Sequence, residues 1–313
     1  MTHLSRPAPE TPFHFRTLFR GERMRVGVWR CTSTDHGGSI EVSQAHSIVV
    51  PRQGAYLRHL GRQRIFGDPN HVLFSNPDEE YRVTHPTDAP DLCTVFVLRP
   101  DLAGELLDGR SPAEAAPRFP RASAPLGSGP FALHRLLLRL LEHPERDALE
   151  TESSILSLLA RVAPLPPNSP DPAGPASRRR TREAHRRTIE QVQTMLSADP
   201  AADLSLDDLA RSTHTSPFHL GRLFAAGTGI PIHRYRVRLR LRRALEEVLD
   251  TDRALSTIAL DSGFASHSHF TDSFRRDFGV APSRLRGTIS AGRIRALRAL
   301  ADSWGRIQLT VDS

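Results

Sequence analysis

The sequence predicts a multidomain α+β chain: a small β-barrel or sandwich, a following helix pair, then an all-α region holding two helix-turn-helix units. Three observations predict it. From Met24 to about Leu98, short alternating or β-branched runs are broken by turn clusters such as DHGG, PRQG, GDPN and SNPDE. Leucines then recur three and four apart, the stripe of a buried helix. Beyond a proline-rich break, a short helix, a tight turn and a second capped helix occur twice, with the two caps, Ser216 and Ser266, 50 residues apart.

At 313 residues the chain has room for two domains of ordinary size. Lys plus Arg number 42 against 35 acidic residues, a net +7, and the pI is about 10.6. That balance favours a polyanionic partner but says nothing about fold. No lysine occurs, so every positive side chain is an arginine, able to grip a phosphate or a guanine edge with two parallel hydrogen bonds. Two cysteines, Cys31 and Cys93, are too few for a disulfide-stapled secreted scaffold. The N-terminal MTHLSRPAPETPFHF has no apolar core, and no run approaches bilayer length. These features lead us to expect a cytoplasmic protein with no membrane partner.

The expected strands are RVGVW (Arg25–Trp29), SIVV (Ser47–Val50), AYLRHL (Ala55–Leu60), HVLF (His71–Phe74), EYRVT (Glu80–Thr84) and CTVFVL (Cys93–Leu98). Phe131–His143 and Glu150–Ala163 read as an antiparallel helix pair, leucine-rich enough to bury against the β domain or a second subunit. The proline-dense Pro164–Ser177 reads as a semi-rigid linker. An arginine run, Arg178–Arg187, follows as a solvated or phosphate-contacting face.

In the first helix-turn-helix unit, Ser205 and Asp208 have capping-box spacing, and Leu206, Leu209 and Ala210 are expected inward. His214 stands at the turn position where glycine is usual, and histidine tolerates the left-handed region. Ser216 caps the second helix and Pro217 opens it, leaving Phe218, Gly221 and Arg222 on its free face with Leu220, Leu223 and Phe224 buried. In the second unit Ile258, Ala259, Phe270 and Phe274 are core, while His267, Ser268, Thr271 and Asp272 are exposed ahead of Arg275 and Arg276. A basic helix, Pro231–Leu249, is the rod that holds the two units about 34 Å apart, one DNA turn.

Leu204 to Arg286 resembles the DNA-binding domain of the AraC/XylS family. The matching residues include Leu209-Ala210, Ser216, Arg222-Leu223-Phe224, Gly229, Pro231, Tyr235, Arg240, Ile258-Ala259, Gly263-Phe264, Phe274-Arg275, Gly279 and Pro282. The resemblance implies base or backbone contacts from Phe218, His219, Gly221, Arg222, His267, Ser268, Thr271, Asp272, Arg275 and Arg276, with Arg222 the strongest base reader. Its implied partners are double-stranded promoter or operator DNA, a small-molecule effector, a second copy of the chain and RNA polymerase.

The β-rich region followed by two helices resembles the cupin-like sensing domain that often precedes this module. Arg52, His59, Arg64, Tyr81, Arg82 and His85 are candidates to line its effector pocket. The expected domain boundaries are therefore a flexible tail over 1–20, a cupin-like sensing domain over 21–110 and a helical dimerisation region over 111–163. A linker over 164–180, an AraC-type DNA-binding domain over 181–290 and a tail of unassigned role over 291–313 follow.

An alternative reading is a metal- or redox-responsive regulator using Cys31, Cys93 and His36, His46, His59 or His85, with Cys31, His46 and Cys93 foremost. None of these sits at a recognised ligand spacing, so no metal and no cofactor is expected. A cupin-type enzyme fused to a DNA-binding module is disfavoured: the β-region lacks the close H-x-H pair and later histidine of a metal-dependent cupin enzyme, and no catalytic residue is expected. A non-specific nucleoid protein is distinguished by binding that ignores sequence.

Overall fold

A computed structural model describes residues 13–32, 38, 40–107, 117–143, 147–163 and 176–290. The expectations for the first twelve residues, His36, the proline-rich 164–175 and the tail 291–313 lie outside the described residues. Among the described residues, ten strands and three helices form the first half in chain order. They are β1 (Phe13–Arg20), β2 (Met24–Cys31), β3 (Ile40–Val42), β4 (His46–Gln53), β5 (Tyr56–Leu60), β6 (Gln63–Gly67), β7 (His71–Ser75), β8 (Glu80–Thr84), β9 (Asp91–Leu98), α1 (Pro100–Leu106), β10 (Ser123–Pro125), α2 (Ser128–Glu142) and α3 (Ala148–Val162).

The strands make two antiparallel sheets. One has six strands in the order β1-β2-β9-β4-β7-β10 and the other four in the order β3-β8-β5-β6. Among the described residues no ladder joins the two, so the expected cupin-like barrel is corrected to a pair of separate sheets. The period of two sorts the larger sheet cleanly. Met24, Val26, Ile48, Val50, Val72, Phe74, Phe96 and Leu98 point to one face and pack on α1, α2 and α3. Residues between them face the smaller sheet.

Two expected boundaries move. The N-terminal tail contains β1, which pairs with β2 from Phe13↔Cys31 to Arg20↔Arg25. A register shift between Thr17 and Phe19 turns Leu18 and Phe19 both inward, so strict alternation is lost. The region expected to be purely helical opens with β10, which extends the larger sheet beside β7.

The second half is helical: α4 (Ala176–Ala198), α5 (Leu206–Ser212), α6 (Pro217–Thr228), α7 (Ile232–Asp250), α8 (Leu255–Asp261), α9 (His267–Phe278) and α10 (Pro282–Ser290). Helix α4 begins at Ala176, inside the stretch 164–180 expected to be linker. The two helix-turn-helix units are buried differently. The first has its own core of Val192, Leu196, Leu209, Leu220, Phe224, Tyr235 and Leu239. In the second, Ile258, Phe270, Phe274 and Phe278 join a core that runs through α2 into the six-stranded sheet.

Helix α2 makes that junction. Phe131, Leu133, Leu136, Leu137, Leu138 and Leu141 are buried on all its sides, against β1, α3, α7 and α9. Its leucine surface, expected to serve either the β domain or a second subunit, is thus spent within the chain.

Candidate nucleic-acid interface and internal cavity

The local signals that build the first unit are all in place. The Ser205 side chain accepts from the Asp208 backbone while the Asp208 carboxylate accepts from the Ser205 backbone, a complete capping box on α5. Ser216 caps α6 by accepting from the His219 N–H, and Pro217 occupies the first turn. His214 has φ +51°, so the left-handed turn expected of this residue is present. Gly263 adopts φ +84° at the same place in the second turn, and Ser266 caps α9 by accepting from the His269 N–H. Two inward expectations are not met: Leu206, the first residue of α5, is 43% exposed, and Leu223 is half-buried.

Both second helices turn a polar, solvent-facing side outward. Phe218, His219, Arg222, His267, Ser268, Asp272, Arg275 and Arg276 are exposed, and Gly221 and Thr271 are half-buried. Phe218 is 76% exposed, and the Arg222 guanidinium lies 5.7 Å from its ring centroid. This cation–π contact holds Arg222 outward, and the ring itself suits a thymine methyl. A Cβ on Gly221 would meet nothing within 4 Å, so this position leaves the helix backbone open to close approach. The His219 ring sits 6.0 Å from His185 of α4. Arg275 and Arg276 close the last turn of α9, where a cation also favours the helix dipole. Arg186 and Arg187 of α4 both pair with Glu183 at the surface, contacts weak enough to exchange for phosphates.

The basic rod, α7, turns out to be internal mortar. Arg240 donates from Nη1 to the Gly263 carbonyl at 2.6 Å and from Nε to Pro200 at 2.7 Å, with Nη2 reaching Ala201 and Ala202. One guanidinium therefore ties the approach to the first unit to the turn of the second. Arg236 donates to the Leu204 carbonyl at 2.5 Å. Arg242 is fully buried, donates to the Leu126 carbonyl and lies 4.6 Å from the Phe131 ring centroid. Burial pushes its guanidinium down to about 10.

The β domain meets these helices through charged contacts that sequence reasoning missed. Arg52 of β4 grips Glu246 of α7 with two bonds, 3.1 and 2.5 Å, and Arg135 of α2 joins the same carboxylate at 2.7 Å. Arg64 of β6 reaches Glu190 of α4 at 2.8 Å. Asp68, in the turn read only as GDPN, is completely buried. Its carboxylate accepts from Tyr235 Oη at 2.6 Å and Ser197 Oγ at 2.8 Å, with His71 Nδ1 at 2.7 Å. On the other side Ser128 Oγ donates to Asp277 of α9 at 2.5 Å.

Between the two sheets lies a cavity of about 650 Å³. Its walls are the alternate residues that face away from the helices: Arg25, Trp29 and Cys31 of β2, Ser47 and Val49 of β4, Leu73 and Ser75 of β7, and Asp91, Cys93, Val95 and Val97 of β9. Phe15, Tyr56, Arg58, Tyr81, Val83 and His85 are among the residues that complete it. Arg58 is committed inward, donating to the Phe74 carbonyl at 2.8 Å and lying 4.4 Å from the Tyr81 ring centroid. Arg25 lies 5.4 Å from the Phe15 ring centroid at the cavity wall.

Of the six pocket candidates, only Tyr81 and His85 line this cavity. Arg52 and Arg64 are corrected to the seam with α7 and α4. His59 and Arg82 are corrected to the opposite face of the smaller sheet, where they pair across β5 and β8 and His59 bonds Thr84 Oγ1 at 2.8 Å. The missed wall residues Arg25, Trp29 and Arg58 had a signal: each falls in phase with the polar or bulky interruptions of an otherwise apolar strand. His46 is also set apart. It stands opposite Leu98 at the far end of β9 from Asp91, and its Nε2 lies 2.6 Å from the Pro117 carbonyl.

Residues 209–288 match the family model described as a helix-turn-helix domain. The chain is 29% identical over 166 residues to the HTH-type transcriptional regulator ExsA of Pseudomonas aeruginosa, covering 53% of this chain and 56% of ExsA. It is 31% identical over 98 residues to the HTH-type transcriptional activator AarP of Providencia stuartii, covering 31% of this chain and 73% of AarP. It spans about half the length of the first curated relatives it matches, 56% and 46%. Among solved structures, apo ToxT from Vibrio cholerae aligns over 85% of this chain and 97% of its own, at 12% identity and a TM-score of 0.35. With two capped helix-turn-helix units on one rod, and with these relatives, the chain belongs to the AraC family of helix-turn-helix transcriptional regulators.

Proposed function

We propose that the protein is a sequence-specific DNA-binding transcription regulator in which α6 and α9 read two successive major grooves and the β-domain cavity takes a small effector. The observation that carries the reading is the matched presentation of the two helices. Each is serine-capped at its N-terminus, set by a left-handed turn and free of core on its outward face. Arg222 reads a guanine edge from its platform on Phe218, and His267 and Ser268 serve the second groove. Asp272 repels phosphate and Gly221 offers only backbone, so part of the specificity comes from DNA shape. A second copy of the chain and RNA polymerase are the further partners. Since α2 is internal, self-association through the helix pair falls to α3, whose Leu149 is 80% exposed.

The effector is a small molecule with an apolar body and a polar end, matched to the apolar Trp29, Val49, Val95 and Val97 and to the polar Arg25 and Tyr81 of the lining. Its signal has a short physical route. Strand β4 carries both Val49 of the wall and Arg52 of the seam, and β7 carries both Leu73 and His71.

The test is selection of bound duplexes from a random pool at physiological salt. The expected product is a two-block consensus, and Arg222→Ala should cost about 1–3 kcal/mol of discrimination at one position. A pool that yields no consensus overturns the reading.

A further inference from the structure

We propose that Cys31, His85 and Asp91 form a binding site for a divalent transition-metal ion of the zinc class, with its remaining position open to the cavity. The three residues come from three places that only the fold unites. Cys31 ends β2 and stands directly opposite Asp91, the first residue of β9, so their side chains share the cavity face. His85 follows β8 in the other sheet and closes the gap between the layers. Sγ of Cys31, an imidazole nitrogen of His85 and a carboxylate oxygen of Asp91 all lie within 4.8 Å of one another. All three residues are more than nine-tenths buried.

The donor set selects the ion. A thiolate, an imidazole and a carboxylate suit zinc, cobalt or ferrous iron, whereas magnesium and calcium demand oxygen alone. Charge selects it too: thiolate plus carboxylate plus a divalent cation sum to zero, the only inexpensive sum at a buried site. His85 Nε2 and Asp91 Oδ1 stand 2.8 Å apart, and tetrahedral zinc bonds of about 2.0–2.1 Å require ~3.3 Å. A side-chain adjustment of about half an ångström admits the ion. Three protein ligands with the fourth position facing a cavity is the arrangement of an exchangeable zinc site rather than a closed structural one.

Cys93 is placed beside the site and outside the ligand set. Its thiol donates to Asp91 Oδ2 at 3.7 Å, which orients that carboxylate. The proposal goes beyond the regulatory reading. Metal binding is measured with neither DNA nor effector present, so either reading can fail alone.

The experiment uses the full chain, purified metal-free and titrated with cobalt(II) and then zinc(II). One equivalent of cobalt should give a thiolate charge-transfer band that zinc bleaches. Cys31→Ser should abolish the band, and His85→Asn or Asp91→Asn should weaken affinity beyond the ~10–100-fold that loss of an outer partner costs. Cys93→Ser should keep the band. Circular dichroism checks that each variant is folded. X-ray absorption of the zinc-loaded wild type needs no variant and should show one sulfur and one imidazole per zinc. No stoichiometric metal, no sulfur in the shell, or a band lost with Cys93 and kept without Cys31 overturns the site.

Discussion

Replacing Glu246 with glutamine removes the charge at the centre of the seam. The Glu246 side chain is 6% exposed and holds two guanidiniums, Arg52 at 11% and Arg135 at 3% exposure. Arg135 keeps a second partner, Asp250, at 2.9 Å. Among the described residues Arg52 has no other ion pair, so the penalty falls mainly on one uncompensated buried cation, about 3–5 kcal/mol. Coulomb's law gives the same scale, about 5 kcal/mol for charges ~3 Å apart at an effective dielectric near 20. The amide oxygen of glutamine still accepts one bond, which returns about 1 kcal/mol. The expected loss is therefore about 3 kcal/mol, read as a lowered urea midpoint by circular dichroism. The paired substitution Arg52→Met with Glu246→Met removes both charges and should recover most of the loss. A loss under about 1 kcal/mol for Glu246→Gln, or a pair as unstable as the single variant, would refute the reasoning.

Asp68 supplies a pH test. Burial raises its carboxyl, but His71 and the hydrogen bonds from Tyr235 and Ser197 outweigh burial and hold it below the usual range. A depressed carboxyl contributes its full stability above about pH 4 and loses it as pH falls through the folded value. Asp68→Asn should therefore lower the urea midpoint at neutral pH and flatten the acid limb; parallel limbs in variant and parent would count against the hub. The two turns separate in a different way. A Cβ at Gly263 would sit 2.8 Å from both Ala201 Cα and the Arg240 guanidinium at a left-handed φ, so Gly263→Ala should cost about 1–3 kcal/mol. His214→Gly, which relaxes a residue already at φ +51°, should change stability by no more than about 1 kcal/mol, and thermal unfolding of the two variants checks the contrast.

The helical half was legible because its signals are local. Ser205 with Asp208, Ser216 with Pro217, and Ser266 each act within one turn, and the structure contains every one of those caps. The strands were legible as runs, and all six expected ones overlap β2, β4, β5, β7, β8 or β9. Their assembly was not legible. The alternation in FHFRTLFR marks β1, but the prolines ahead of it and its two arginines made it look like tail. Arg52 and Arg64 read as pocket cations because their partners, Glu246 and Glu190, lie 194 and 126 residues away, and no local pattern encodes such a pairing. Cys31 and His85 had no ligand spacing for the same reason: strand register brings Cys31 to Asp91, and the packing of two sheets brings His85 to both.

The central claim, that α6 and α9 read one DNA site together, is tested most directly by hydroxyl-radical footprinting on a selected duplex at physiological salt. The account predicts two protected patches on one face, about 10 base pairs apart. Arg222→Ala should weaken the patch under α6 and His267→Ala the patch under α9. Continuous protection that is indifferent to sequence, or a footprint that neither substitution alters, would contradict it.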